Sequence, residues 1–239
     1  MSKVVTDWKR VREIPHLDEN ALHIWCAQAS EHDSALSHYT TYLLPDELQR
    51  ARRFRMPKLQ TRYIISRGLL RRILSTYLDC SPESVRIACT LQGKPYLPGT
   101  QLQFNLSHSR DAILFAVQRV TPVGVDVEYM RDSVDCVSLA KRFFSKQEYR
   151  GINRLTGLAQ RNAFYTCWTR KEAYLKATGK GLAGLKEAAL LEHGVPSAEK
   201  GWTIIDLQMP EPGYAGAVAF AGASALIDTL LLTPDVHGA

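Results

Sequence analysis

A chain of 239 residues and 26.8 kDa, 45% apolar and 23% charged, can fill the core of one large domain or of two lobes of about 120 residues each. Mean hydropathy of -0.19, with 15 glycines and 11 prolines, excludes a fibre or a low-complexity tail. The formal charge of +6 is local, because the segment from Arg50 to Arg72 holds nine basic and no acidic residues and leaves the remainder three charges negative.

In chain order, the first twenty residues hold no apolar run of the kind that directs secretion, so a cytoplasmic location is expected. Cys26, Cys80, Cys89, Cys136 and Cys167 are odd in number, form no Cys-x-x-Cys pair, and read as reduced buried thiols. Leu22 to Gln28 reads as a strand. Pro45, Asp46 and Glu47 suit a first helical turn, with proline at the first position and acids facing the dipole, leading to Arg50, Arg52, Arg53 and Arg55. Pro57 stops that helix, and a longer one runs from about Lys58 to Leu78 with Tyr63, Leu70, Leu74 and Tyr77 at helical spacing. Arg67 falls on that apolar stripe, where a cation must snorkel, pair or meet a ligand. Strands are expected near Val85 to Thr90, Gln101 to Leu106 and Ala112 to Arg119.

A similar order then repeats. Val123 to Tyr129 reads as a strand, Ser145 to Asn153 as a short helix, Arg161 to Thr178 as a long helix closed by Gly179, and Trp202 to Leu207 and Tyr214 to Phe220 as strands. Gly194 to Gly201 and the last six residues read as loop and tail. The uncharged stretch from Pro212 to Ile227 is shorter than the roughly 20 residues that cross a bilayer, so no membrane span is expected. The repeat suggests two α+β lobes, 1–120 and 121–239, joined near Thr121 and Pro122 with a cleft between them.

Four segments carry candidate chemistry. In Val123 to Glu128 the valines point one way and Asp126 and Glu128 the other. Two carboxylates on one face raise each other's pKa unless a cation such as magnesium lies between them. The plain alternative is acids facing water on a half-exposed strand. In the long helix Phe164, Trp168 and Leu175 form the buried stripe, Lys171 falls within it, and Glu172 and Lys176 lie one turn apart on its border. The plain alternative is a surface ion pair worth about 0.2–0.5 kcal/mol. Phe104 to Ser109 places Ser107, His108 and Ser109 at an expected strand end, suited to an anion or to simple turn chemistry. Gly93, Lys94 and Pro95 form a tight loop whose lysine could hold a phosphate or merely flank a turn. Ser145 to Glu148 reads as a capping box, with Glu148 as the cap.

Taken in order, Gly93-Lys94-Pro95, Phe104 to Ser109, Gly124 to Glu128, Phe143 to Glu148 and Trp168 to Lys176 resemble the motifs of the Sfp-type 4'-phosphopantetheinyl transferases. That resemblance implies an α+β fold of two pseudo-symmetric lobes with the active site between them. It also implies transfer of 4'-phosphopantetheine from coenzyme A to a serine of an acyl or peptidyl carrier protein, releasing adenosine 3',5'-bisphosphate. By the same resemblance Asp126, Glu128 and Glu172 would hold magnesium, or manganese, and Glu172 would also take the hydroxyl proton. Lys176 would steady the pyrophosphate, and Arg50, Gly93, Lys94, Pro95, Ser107 and His108 would hold the nucleotide, with Arg53 and Lys171 as further candidates. Glu47, one turn before Arg50, departs from a basic residue found in many members. The remaining basic residues would attract an acidic carrier helix, and two lobes in one chain make a monomer sufficient. Two rivals remain. A nucleic-acid-binding protein would use the Arg50 to Arg72 segment but leave the carboxylates without a task. A metal-dependent phosphohydrolase would use the same acids without a carrier.

Overall fold

The computed structural model describes residues 4–181, 201–222 and 226–234. Strands β1 (Val4–Val5), β2 (Trp8–Val11) and β3 (Ala21–Gln28) lead through a 3-10 segment to helices α1 (Leu36–Tyr42), α2 (Pro45–Arg52) and α3 (Pro57–Leu78). A small hairpin, β4 (Ala88–Cys89) and β5 (Pro95–Tyr96), precedes β6 (Gln103–Ser109) and β7 (Ala112–Gln118). The second half runs β8 (Val123–Tyr129), α4 (Cys136–Phe143), α5 (Lys146–Asn153), α6 (Gly157–Thr178), β9 (Trp202–Leu207), β10 (Tyr214–Ala221) and β11 (Leu226–Leu232). The order of strand, short helices, long helix and strands thus occurs twice, and α3 and α6 are each 22 residues long. The fold is α+β, as expected.

The strands form a four-stranded sheet, β1-β9-β10-β8, and a five-stranded sheet, β2-β11-β3-β7-β6. Alternating residues explain how the sheets meet. Val123, Val125, Val127, Val218 and Phe220 of one face Leu22, Ile24, Leu114 and Ala116 of the other in a shared apolar core. α3 covers the outer face of the five-stranded sheet through Ile65, Leu69 and Ile73. α6 covers the outer face of the four-stranded sheet through Ala173, Tyr174 and Ala177. The terminal strands exchange partners: β1 pairs in parallel with β9, and β11 lies parallel to and between β2 and β3.

Several details differ from the sequence expectations. The strand expected from Val85 to Thr90 shrinks to Ala88–Cys89, because Pro82–Ser84 forms a 3-10 turn and the Val85 carbonyl accepts a hydrogen bond from the Arg71 guanidinium instead. The short strands β1 and β2, the helices α1 and α4, and β11 were not anticipated. All five cysteines are free, but Cys80 and Cys89 are exposed and Cys167 is half-buried, so that Cys26 and Cys136 alone are buried as expected. The expected Gly194 to Gly201 loop lies, apart from Gly201, outside the described residues, as do the last five residues of the expected tail. Among the described residues no helix is long and apolar enough to cross a membrane.

Candidate active site

The site forms where α6 lies on β8, and a missing side chain permits the approach. A Cβ built on Gly124 would stand 2.1 Å from the Ala173 carbonyl oxygen and 2.3 Å from the Ala177 nitrogen, both backbone atoms of the helix. Glycine lets α6 rest directly on the strand. Two and four residues on, with the same strand parity, come Asp126 and Glu128. Glu172 and Lys176, one helical turn apart, are brought against them. Lys176 Nζ donates to Asp126 Oδ1 at 2.6 Å and to the Ser107 hydroxyl at 2.9 Å. Asp126 is 3% exposed, and its second oxygen, Oδ2, is buried without a hydrogen-bond partner. Glu172 Oε1 is buried and unpartnered in the same way.

Unpartnered buried oxygens are costly, and burial shifts each acid toward its protonated form. Burial raises the pKa of Asp126 against the opposing pull of Lys176. Burial likewise raises that of Glu128, whose Oε2 accepts from the Ser109 hydroxyl at 2.8 Å. Glu172 is pushed up to about 7, first by burial and then by the neighbouring Asp126 charge. As they stand, no three His, Cys, Asp or Glu side chains among the described residues are gathered closely enough to hold an ion. The chemistry of the donor set nevertheless fits a hard divalent cation: all oxygen, net negative, with two buried oxygens lacking any partner.

β6 supports this face from the other sheet. Asn105, Ser107 and Ser109, at every second position, accept hydrogen bonds from the backbone amides of Val125 (3.0 Å), Val127 (3.4 Å) and Tyr129 (3.0 Å). Two edge strands that share no backbone ladder are therefore joined by side chains. Cavities open on both sides of the carboxylates. One of about 280 Å³ is lined by Gly93, Lys94, Pro95, Glu172, Lys176 and Gly179. The other, of about 380 Å³, is lined by Arg62, Tyr63, His108, Ser109, Glu128 and Arg131. A third, of about 520 Å³, holds Arg50 and Arg53 and shares Phe54 with the second.

Comparison with known proteins places the chain in a family. Residues 25–119 match the family model described as 4'-phosphopantetheinyl transferase, N-terminal, and residues 122–211 that of the 4'-phosphopantetheinyl transferase superfamily. A relative from a Nostoc species, the 4'-phosphopantetheinyl transferase HetI, is 38% identical over 209 residues, covering 84% of this chain and 88% of its own. The chain belongs to the 4'-phosphopantetheinyl transferase superfamily. Other relatives are the 4'-phosphopantetheinyl transferase Sfp of Bacillus subtilis, 30% identical over 146 residues (61% of this chain, 64% of its own), and a Thraustochytrium phosphopantetheinyl transferase, 30% identical over 192 residues (74% and 65%). As a member it is an enzyme that moves 4'-phosphopantetheine from coenzyme A onto carrier proteins.

In this transferase the sequence-derived candidates divide into three groups. Asp126, Glu128, Glu172 and Lys176 come together as described. Gly93, in a left-handed conformation at φ +83, turns the β4-β5 hairpin so that Lys94 reaches across to the end of α6, donating to the Ala177 carbonyl at 2.5 Å. Burial lowers the Lys94 pKa. His108 lines the second cavity and is exposed, yet the surrounding protein and then the Lys176, Arg62 and Arg67 charges lower its pKa. Arg50 stands 5.6 Å from the centre of the Tyr63 ring, which Arg67 also approaches. Ser107, expected on coenzyme A, has its hydroxyl on Asp126 (2.8 Å) and Lys176.

The third group is structural. Lys171 is fully buried, 3.0 Å from Glu148 and 5.3 Å from the centre of the Phe144 ring. Glu148 caps its own helix as expected, accepting from the Ser145 amide at 2.7 Å, and also neutralises Lys171. Glu47 is turned inward, where it pairs with the buried Arg71 at 2.7 Å and accepts from the Leu44 amide. Sequence reasoning missed Gly124 as the residue that seats the helix, and Ser109 as a partner of Glu128. The parity of Asn105, Ser107 and Ser109 was the available signal for the second.

Proposed function

We propose that the transferase works beside the contact of β8 with α6, where the two cavities flank the carboxylates, with Asp126, Glu128 and Glu172 holding magnesium, or manganese in its place. The observation that carries this reading is the pair of buried, unpartnered oxygens, Asp126 Oδ2 and Glu172 Oε1, in an acidic pocket beside a paired lysine. When bound, the ion supplies charge neutralisation to the pyrophosphate of coenzyme A.

The protein's own groups do the rest. Lys176, fixed by Asp126 and Ser107, presents its ammonium to the pyrophosphate. Lys94, His108 and Arg50 hold the nucleotide end, including its 3'-phosphate, and Gly93 and Pro95 shape the loop that carries Lys94. Glu172, with a pKa near neutrality, takes the proton of the acceptor serine directly or through a water. The serine oxygen bonds to the phosphorus next to pantetheine, the bridging P–O bond breaks, and adenosine 3',5'-bisphosphate leaves. Positioning and charge neutralisation supply most of the rate enhancement in such a transfer.

The lobe of residues 1–120 would supply the nucleotide side and that of 121–239 the metal side, so that a monomer suffices. The basic segment from Arg50 to Arg72 would attract an acidic carrier helix. Five free cysteines accord with the cytosol. Asp126→Ala and Glu172→Ala are each expected to abolish transfer of a fluorescent pantetheine group from a coenzyme A analogue to apo-carrier protein, with the circular dichroism spectrum retained. Near-normal labelling by either variant overturns the assignment. Release of inorganic phosphate without a mass gain on the carrier would favour a hydrolase.

A further inference from the structure

The Ser109 side chain lies on β6, in the sheet opposite the carboxylates, and is 7% exposed. Its single hydroxyl proton goes to Glu128 Oε2 at 2.8 Å, while its oxygen accepts from the Tyr129 amide at 3.0 Å. A hydroxyl with its proton and a lone pair both committed has no freedom to rotate, so it fixes the oxygen it touches. Ser107 treats Asp126 similarly from two residues earlier. Ser107, however, is shared with Lys176, whereas Ser109 has Glu128 as its side-chain partner. Glu128 is less buried than Asp126; it lines the open cavity beside Ser109 and would otherwise sample several rotamers.

We propose that Ser109 is a positioning residue for Glu128: its hydroxyl, anchored on the Tyr129 amide, holds the carboxylate in the orientation that receives a divalent ion. The inference rests on the reading of Glu128 as a metal ligand and adds the residue that aims it. Partners of this kind behind a ligand commonly change metal affinity by about 10- to 100-fold.

The test is direct binding of Mn²⁺ to the full-length protein without coenzyme A, read from the loss of the free-ion electron paramagnetic resonance signal. Ser109→Ala is expected to weaken binding by about tenfold, Ser109→Thr, which keeps the hydroxyl, to restore it to within about twofold, and Ser109→Ala to have no further effect in a Glu128→Gln background. Parent-like binding by Ser109→Ala, with Glu128→Gln weakened, overturns the positioning role. So does equal weakening by Ser109→Ala in the Glu128→Gln background, or weakening that Ser109→Thr leaves unrestored. Unchanged binding by Glu128→Gln instead overturns the ligand assignment on which the inference stands.

Discussion

In the folded protein Glu172 keeps its proton up to about pH 7, because burial and the nearby Asp126 charge both oppose ionisation. The ordinary value is 4.5, so between these limits the folded state binds more protons than the unfolded chain, and stability falls as pH rises through that window. At pH 8 in EDTA, Glu172→Gln is therefore expected to raise the thermal midpoint by about 2–4 °C, the shift that roughly 1 kcal/mol gives in a chain of this size. The same variant should lose transfer. A midpoint equal to or below that of the parent would show that the carboxylate carries no such strain. Strand parity put Asp126 and Glu128 on one face and helix spacing put Glu172 and Lys176 on one border, both local properties, and it was the family resemblance that joined the two pairs into one candidate site. The partners of Ser107 and Ser109 were not legible, since they depend on two edge strands from different sheets lying side by side.

The helix–strand contact at Gly124 belongs to the next scale. Gly124→Ala would drive a methyl group into the α6 backbone, where no side chain can swing away, at an expected cost of about 1–3 kcal/mol in denaturant unfolding. Transfer should fall at least a hundredfold even at temperatures where the variant stays folded, because displacing α6 by 1 Å also displaces Glu172 and Lys176. The pair between α5 and α6 makes a complementary prediction. Lys171→Met strands Glu148 in the interior and should cost about 3–5 kcal/mol, whereas Lys171→Met with Glu148→Gln, which keeps the cap without the charge, should recover most of it. Equal stability of the single and double variants would show that the ion pair is not the source of the loss. Long elements such as α3, α6 and β8 were readable from periodicity. β1, β2 and β11 were not: two are very short, and all three lie in sheets whose neighbours are remote in sequence.

On the scale of the molecule, the two sheets share one apolar layer and exchange their outlying strands, so neither sheet owns a complete core. Unfolding should follow a single transition, with far-ultraviolet circular dichroism and tryptophan fluorescence coincident in urea. Trp25 reports on the five-stranded sheet and Trp202 on the four-stranded one. Separated midpoints would mean that the two sheets are energetically independent. The repeated order of elements was visible in the sequence, but the exchange was not, because nothing local in a terminal strand names its partner. That exchange bears on how the protein is made. β11 fills the gap between β2 and β3, and β1 has β9 as its neighbour, so a ribosome that has finished the first half has produced a sheet with an empty slot and a strand with no mate. Until β11 has been made, the facing edges of β2 and β3 stay unpaired, so the five-stranded sheet closes only after the second half has been synthesised and its open edges are exposed to aberrant pairing in the meantime.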